Sequence, residues 1–288
     1  HGQPSSCPGS LSWVANQYPG LPTPVDVNQL KAVAQCLPIE DQEFLVRGFA
    51  CGFSLNLATP PTPCVSTRNL TSALQRQSQV DRYLASELQC GRIVGPFALP
   101  PFPNFFVSPI GAVPKHESDE VRIIHHLSHP PGSSVNDCIP DESASVCFST
   151  VKHVARAVTG IGKGALIAKA DIRKAYRQVP VPPAEYPFLG ITWRGQFYYD
   201  TVLPMGGRSA CATFQRISDL LVAVFHFIRR DACTCNLLDD FIFFGPADSP
   251  ACGEDLHVFL QLCRLINIPM NESKLVRPAT CVTVFGLE

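Results

Sequence analysis

The hydrophobic pattern of this chain switches between helical and strand periods and breaks at proline- and glycine-rich joints. Apolar positions at Leu30, Val33, Leu37, Phe44, Leu45 and Phe49 predict a helix over residues 25–53. The segment 58–63, Ala-Thr-Pro-Pro-Thr-Pro, cannot hold a helix and marks a linker. A second helix is expected over 70–90, its Ser, Asp, Glu and Arg content keeping one face wet. After an extended, proline-studded approach at 96–103, alternation predicts a hairpin from 106–115 and 121–127 around the polar turn 116–120. Residues 166–170 read as a short apolar strand, and 188–193 with 196–202 as another hairpin. Ala210, Phe214, Ile217, Leu221, Val224 and Ile228 recur at helical spacing and define an amphipathic helix. Residues 234–238 and 241–244 are two apolar strands with Asp239-Asp240 at or beside their turn. Leu256, Phe259, Leu260, Cys263 and Ile266 set a last helix, and 281–286 is strand-like. This order implies an α+β fold with helices packed against an antiparallel sheet.

Composition narrows the class. Apolar residues make up 45% of the 288 positions and charged ones 16%, which excludes bulk disorder. No run of apolar residues is long enough to predict a membrane span. The chain opens on His1 with no basic-then-apolar leader, so it is expected to be an internal piece of a longer polypeptide, cytoplasmic or nuclear and not secreted. Thirteen scattered cysteines without a CxxC spacing are expected to be reduced thiols. Net charge is only −1, yet Lys152, Arg156, Lys163, Lys169, Arg173, Lys174 and Arg177 surround the single acidic residue Asp171. A basic tract beside a lone carboxylate suits a phosphate-rich ligand around a cation, or equally a solvated surface.

The adjacent carboxylates carry the chemistry. Two anions about 4 Å apart repel by about 4 kcal/mol at an effective dielectric near 20. At the edge of a buried hairpin, either one of them takes a proton or a cation sits between them. An Asp-Asp turn alone would also suit open solvent. Asp171, however, follows the apolar strand Leu166-Ile167-Ala168-Lys169-Ala170 and brings a third carboxylate from a neighbouring strand. Three such groups can hold two hard divalent ions for in-line phosphoryl transfer. Gly160-Ile161-Gly162-Lys163-Gly164 is no phosphate loop, because no Ser or Thr follows Lys163.

From Lys169 to Pro180 the chain, with Asp171-Ile172-Arg173-Lys174-Ala175-Tyr176 at its centre, resembles the first aspartate motif of reverse transcriptases. Leu203-Pro204-Met205-Gly206 through Phe214-Gln215 is similar to the family's nucleotide- and template-contacting motif. Leu237-Leu238-Asp239-Asp240 resembles its Tyr-x-Asp-Asp box, and Val284-Phe285-Gly286-Leu287-Glu288 the start of its primer-grip hairpin. Upstream, Gly91 to Phe97, Pro101 to Asn104, Arg122 to Ser128 and Pro130 to Asp137 resemble the DIRS group of tyrosine-recombinase retrotransposons.

The resemblance implies a right-hand polymerase with fingers and palm, an antiparallel palm sheet on helices, and the thumb absent. Residues 1–65 would be an N-terminal extension and linker, 66–146 the first part of the fingers and 147–178 the first part of the palm. Residues 179–208 would return to the fingers, and 209–288 would complete the palm up to the primer-grip hairpin. It implies template-directed DNA synthesis from dNTPs on a primed RNA or DNA template, with two Mg²⁺ (Mn²⁺ as a substitute) on Asp171, Asp239, Asp240 and the Ile172 carbonyl. Lys115, Arg122, Arg173, Lys174, Ala175, Tyr176, Met205 and Lys274 would contact the dNTP, Tyr176 as the gate against a 2′-hydroxyl. Gly206, Phe214, Gln215, Leu237, Leu238, Phe285 and Gly286 would meet template or primer. Thumb and ribonuclease H domains of a parent polyprotein would follow. Leu237 departs from the usual Tyr and loses a hydroxyl near the primer end. The alternatives are a decayed or domesticated element that binds nucleic acid without catalysis, and an RNA polymerase, which bulky Tyr176 disfavours.

Overall fold

The structure, a computed structural model, describes residues 20–114 and 121–285. Lys115, the turn 116–120, and Gly286 with the two residues after it lie outside the described residues.

The first helical region is two helices, not one. Helix α1 (Val27–Val33) is capped by Asp26, whose carboxylate accepts from the amides of Asn28 and Gln29. Helix α2 (Ile39–Cys51) begins only after Pro38, and Leu37 before it is extended. Proline forbids the helical conformation to its predecessor, which is what the apolar spacing alone did not register. The second region divides likewise into α3 (Thr71–Leu74) and α4 (Gln77–Gln89), with Arg76 leaving helical geometry between them. Leu30, Leu45, Phe49, Phe53 and Leu55 join the same core as the helices and sheet downstream.

Strand β1 (Ile93–Phe97), which the apolar pattern did not single out, pairs with β6 (Gln196–Asp200), and β6 pairs with β5 (Gly190–Trp193). The predicted hairpin is present as β2 (Ile110–Pro114) and β3 (Val121–His125), shorter at both ends than the alternation suggested. Phe106 and Val107 instead make single bridges to Cys64 and Gly190. A small core of Val80, Leu84, Ile93, Ile110, Ile123, Ile191 and Trp193 binds α4 to these strands.

The second sheet runs β7 (Cys233–Leu237), β8 (Asp240–Gly245), β4 (Leu166–Asp171), β9 (Val276–Ala279), antiparallel throughout. Side chains alternate faces along a strand. Phe241 and Phe243 therefore enter the main core, against Phe259 of α7 (Ala251–Leu265) and Phe225 of α6 (Ala210–Ile228). Ile242 and Phe244 face the other way, with Val282, Val284 and the apolar side of α5 (Val151–Ile161). Helix α6 is long and apolar enough to cross a membrane by length and composition, but Phe214, Ile217, Leu221, Val224 and Phe225 are buried in the core. Among the described residues the last named strand is β9; Val282 and Val284 are buried beyond it, Val284 in a single bridge, and the expected strand 281–286 runs on into residues outside the described ones.

Cys252 and Cys263 are free thiols buried in the core. Asn69, which begins a sequon, gives its amide to the Thr192 carbonyl and accepts from the Ile110 amide, so its side chain works inside the fold.

Candidate active site

Asp171 ends β4, and its register partner on β8 is Asp240. Leu237 also pairs with Asp240, across β7 and β8, so Leu238 and Asp239 form the connecting turn. The chain leaving Asp171 stays bound to that turn: the Ile172 amide donates to the Asp239 carbonyl at 3.0 Å. On the other flank the Asn271 amide donates to the Asp171 carbonyl at 2.8 Å, and Ile172 bridges Met270. Backbone hydrogen bonds alone thus gather three carboxylates at one end of the sheet.

Asp171 is 3% exposed. Its carboxylate accepts from the Asn271 side chain at 3.1 Å and from Lys274 Nζ at 2.8 Å. Lys169, two residues back on β4 and therefore on the same face, meets the Asp240 carboxylate at 3.0 Å. Among the described residues no ion pair reaches Asp239. Burial first, and then the charges of Asp171 and Asp240, push its carboxyl above the usual range. Burial also raises Asp240, against the lowering influence of Lys169. Lys274 is raised although burial opposes it, because its ammonium donates a hydrogen bond to the Asp171 carboxylate, whose charge favours the protonated form. The sequence placed Lys169 only in the basic tract and gave Asn271 no role at the site; the signal for Lys169 was its two-residue spacing from Asp171. Among the described residues no group of three His, Cys, Asp or Glu side chains forms a ready ligand cage.

The turn itself is strained. Leu238 has φ +52°, the left-handed region that a leucine seldom adopts. Helix α6 holds it there. The Leu238 amide donates to Gln215 Oε1 at 2.8 Å, and its carbonyl accepts from Ser218 Oγ at 2.6 Å. Gln215, expected at the template, is 2% exposed and engages both ends of its amide within the protein. Phe214 is buried under Tyr176, ring centroids 5.1 Å apart, and the Tyr176 hydroxyl lies 3.1 Å from Cys211 Sγ. Half-buried Leu237 lies at the end of β7. Phe285 packs with Ile242 and Phe244 on the far face of the sheet.

A second group of predicted residues comes together beside this one. Arg122, Lys174 and Met205 line a cavity of about 170 Å³ with Tyr83, Glu87 and Arg177. Exposed Arg173 and buried Ala175 flank Lys174, whose φ is +55°. Two residues of the basic tract, Lys174 and Arg177, form ion pairs here. Glu87, 1% exposed, accepts two hydrogen bonds from Arg92 at 2.7 Å, one from Arg177 at 2.9 Å and one from Lys174 at 3.0 Å. Burial alone would raise the Glu87 carboxyl, but these donors and charges hold it down to about 2. Arg177 also donates to Asp200 at 2.7 Å. Gly206 adopts φ +124° against the His125 carbonyl, where a Cβ has no room. Its own carbonyl accepts from Asn136 at 2.8 Å. His125 is buried, with its Nε2 3.1 Å from the Gly190 carbonyl oxygen.

No protein-family model matches the chain, and no curated protein does. Solved structures do match, and the fold they share with it is that of the reverse transcriptases. The particular relatives in structure are foamy viral protease–reverse transcriptases. One, the dRH form in complex with double-stranded DNA, superposes with TM-score 0.61 at 16% identity, covering 96% of this chain and 48% of that one. Another complex with double-stranded DNA gives 0.58 at 17%, covering 92% and 54%. A complex with an RNA/DNA hybrid gives 0.58 at 16%, covering 91% and 36%. The chain therefore spans about half or less of the proteins it resembles.

Proposed function

We propose that this chain is the fingers and palm of a reverse transcriptase, extending a primer from dNTPs on an RNA or DNA template as part of a retrotransposon polyprotein of the DIRS group. One observation carries the reading: Asp171 and Asp240 are register partners with Asp239 in the adjoining turn, on a fold shared with reverse transcriptases. The carboxylate oxygens suit hard cations, and Asp239, whose carboxyl is raised by burial and by the charges of Asp171 and Asp240, is where a cation would relieve most repulsion. Asp171, Asp239 and Asp240, with the Ile172 carbonyl, would hold two Mg²⁺ or Mn²⁺. Bound there, the ions supply a lowered pKa at the primer 3′-hydroxyl and charge to stabilise departing pyrophosphate.

The chain's own residues do the rest. Arg122 would bind the triphosphate by charge-assisted hydrogen bonds, and the backbone amides of Lys174 and Ala175 would add neutral donors. Tyr176, backed by Phe214, fills the space a 2′-hydroxyl would need. Lys274, on Asp171, can hold a proton for the pyrophosphate. Template and primer are bound through backbone and shape.

Primer extension on poly(rA)/oligo(dT) with dTTP and Mg²⁺ tests this. Incorporation by the wild type and its loss in Asp239→Asn support the reading. A second reading, a catalytically inactive domain that binds nucleic acid, is favoured by the Lys274–Asp171 and Lys169–Asp240 pairs, which offset two of the three carboxylates without metal. Nucleic-acid binding without incorporation would select it.

A further inference from the structure

The carboxylate turn rests on a side-chain network that ends at an exposed residue the proposed chemistry does not use. Leu238, in the left-handed region, has its amide held by Gln215 Oε1 and its carbonyl by Ser218 Oγ. A side-chain amide has a donor end and an acceptor end, and turning it over would set two donors against each other here. Something must choose the end. Asp219, one helical turn after Gln215 on α6, is acceptor-only, and its Oδ1 takes Gln215 Nε2 and Asn236 Nδ2, each at 2.7 Å. That pairing turns the Gln215 nitrogen outward and leaves its oxygen facing Leu238. It also ties β7, through Asn236, to the same helix. Asp219 itself is exposed, and none of its hydrogen bonds goes to Asp171, Asp239 or Asp240.

We propose that Asp219 is a positioning residue, which sets the orientation of Gln215 and Asn236 and through them the backbone that aims Asp239. Its effect on activity rests on the polymerase reading above; its effect on the turn does not. The test uses Asp219→Ala, which removes the acceptor, and Asp219→Asn, which keeps an accepting oxygen. Hydrogen exchange at the Leu238 amide should quicken about tenfold or more in Asp219→Ala, because Gln215 loses the acceptor that fixes which end of its amide faces Leu238, and stay near wild type in Asp219→Asn, which keeps an accepting oxygen. In single-turnover primer extension, Asp219→Ala should lower the maximal rate about tenfold with the dNTP KM within about twofold, and Asp219→Asn should restore it. Wild-type exchange at Leu238 in Asp219→Ala overturns the proposal. A wild-type protein that exchanges as expected yet never extends a primer overturns the polymerase reading instead.

Discussion

Asp171 and Asp240 face each other across β4 and β8, and each carboxylate meets a different lysine, Lys274 at 2.8 Å and Lys169 at 3.0 Å. Asp239, in the turn beside them, has no such partner among the described residues, and its carboxyl is raised by burial and by its two neighbours. Excess negative charge at that point organises the expectations below.

Asp239→Asn should abolish incorporation, by about a hundredfold or more, while stabilising the metal-free protein at neutral pH. The sign follows from linkage. A carboxyl whose folded pKa lies above its unfolded 3.8 favours the fold below that value and loses this contribution as pH rises through the folded pKa. Thermal melts without metal should therefore rise in Asp239→Asn, and added Mg²⁺ should raise the wild type far more than the variant.

Replacing Lys169 with Met removes the cation on Asp240. The metal-free protein should melt lower, because three carboxylates then share one lysine, and half-saturating Mg²⁺ should fall severalfold, because a competing positive charge is gone. Melting curves and a Mg²⁺ titration of primer extension read the two effects. Weaker Mg²⁺ dependence with unchanged stability would contradict the ion-pair role.

Glu87 ties α4 to the loop after Asp171, and the prediction there concerns acid stability. Its carboxyl is held down to about 2 from an ordinary 4.5, so its contribution is complete above 4.5 and disappears as pH falls toward 2. Glu87→Gln leaves Arg177 and Arg92 short of a buried counter-charge and should cost about 3–5 kcal/mol in urea unfolding at pH 7. It should also flatten the pH dependence between 4.5 and 2.

Tyr176 is held by Phe214 behind it and Cys211 at its hydroxyl. Tyr176→Ala should raise ribonucleotide use about tenfold or more relative to deoxynucleotide, while Tyr176→Phe keeps the discrimination. Competition between rTTP analogues and dTTP measures it. Unchanged sugar selectivity in the alanine variant sinks the gate assignment.

By itself the sequence determined the elements whose residues signal one another within a turn or a pleat. The helical spacing from Ala210 to Ile228 produced α6, and the run Phe241 to Phe244 produced a strand buried on both faces. The same local reading placed Asp171 at a strand end and Asp239 in a turn, because alternation and breaks depend only on near neighbours. It ran helices through Pro38 and Arg76, since apolar spacing records burial without registering where the backbone leaves helical geometry. Only the tertiary structure decided that Lys274 and Asn271 meet Asp171, that Glu87 gathers Arg92, Lys174 and Arg177, and that Asp219 steers the turn at Leu238. Most of these partners are far apart along the chain, and which of them meet is set by how sheets and helices pack, a property no local pattern contains.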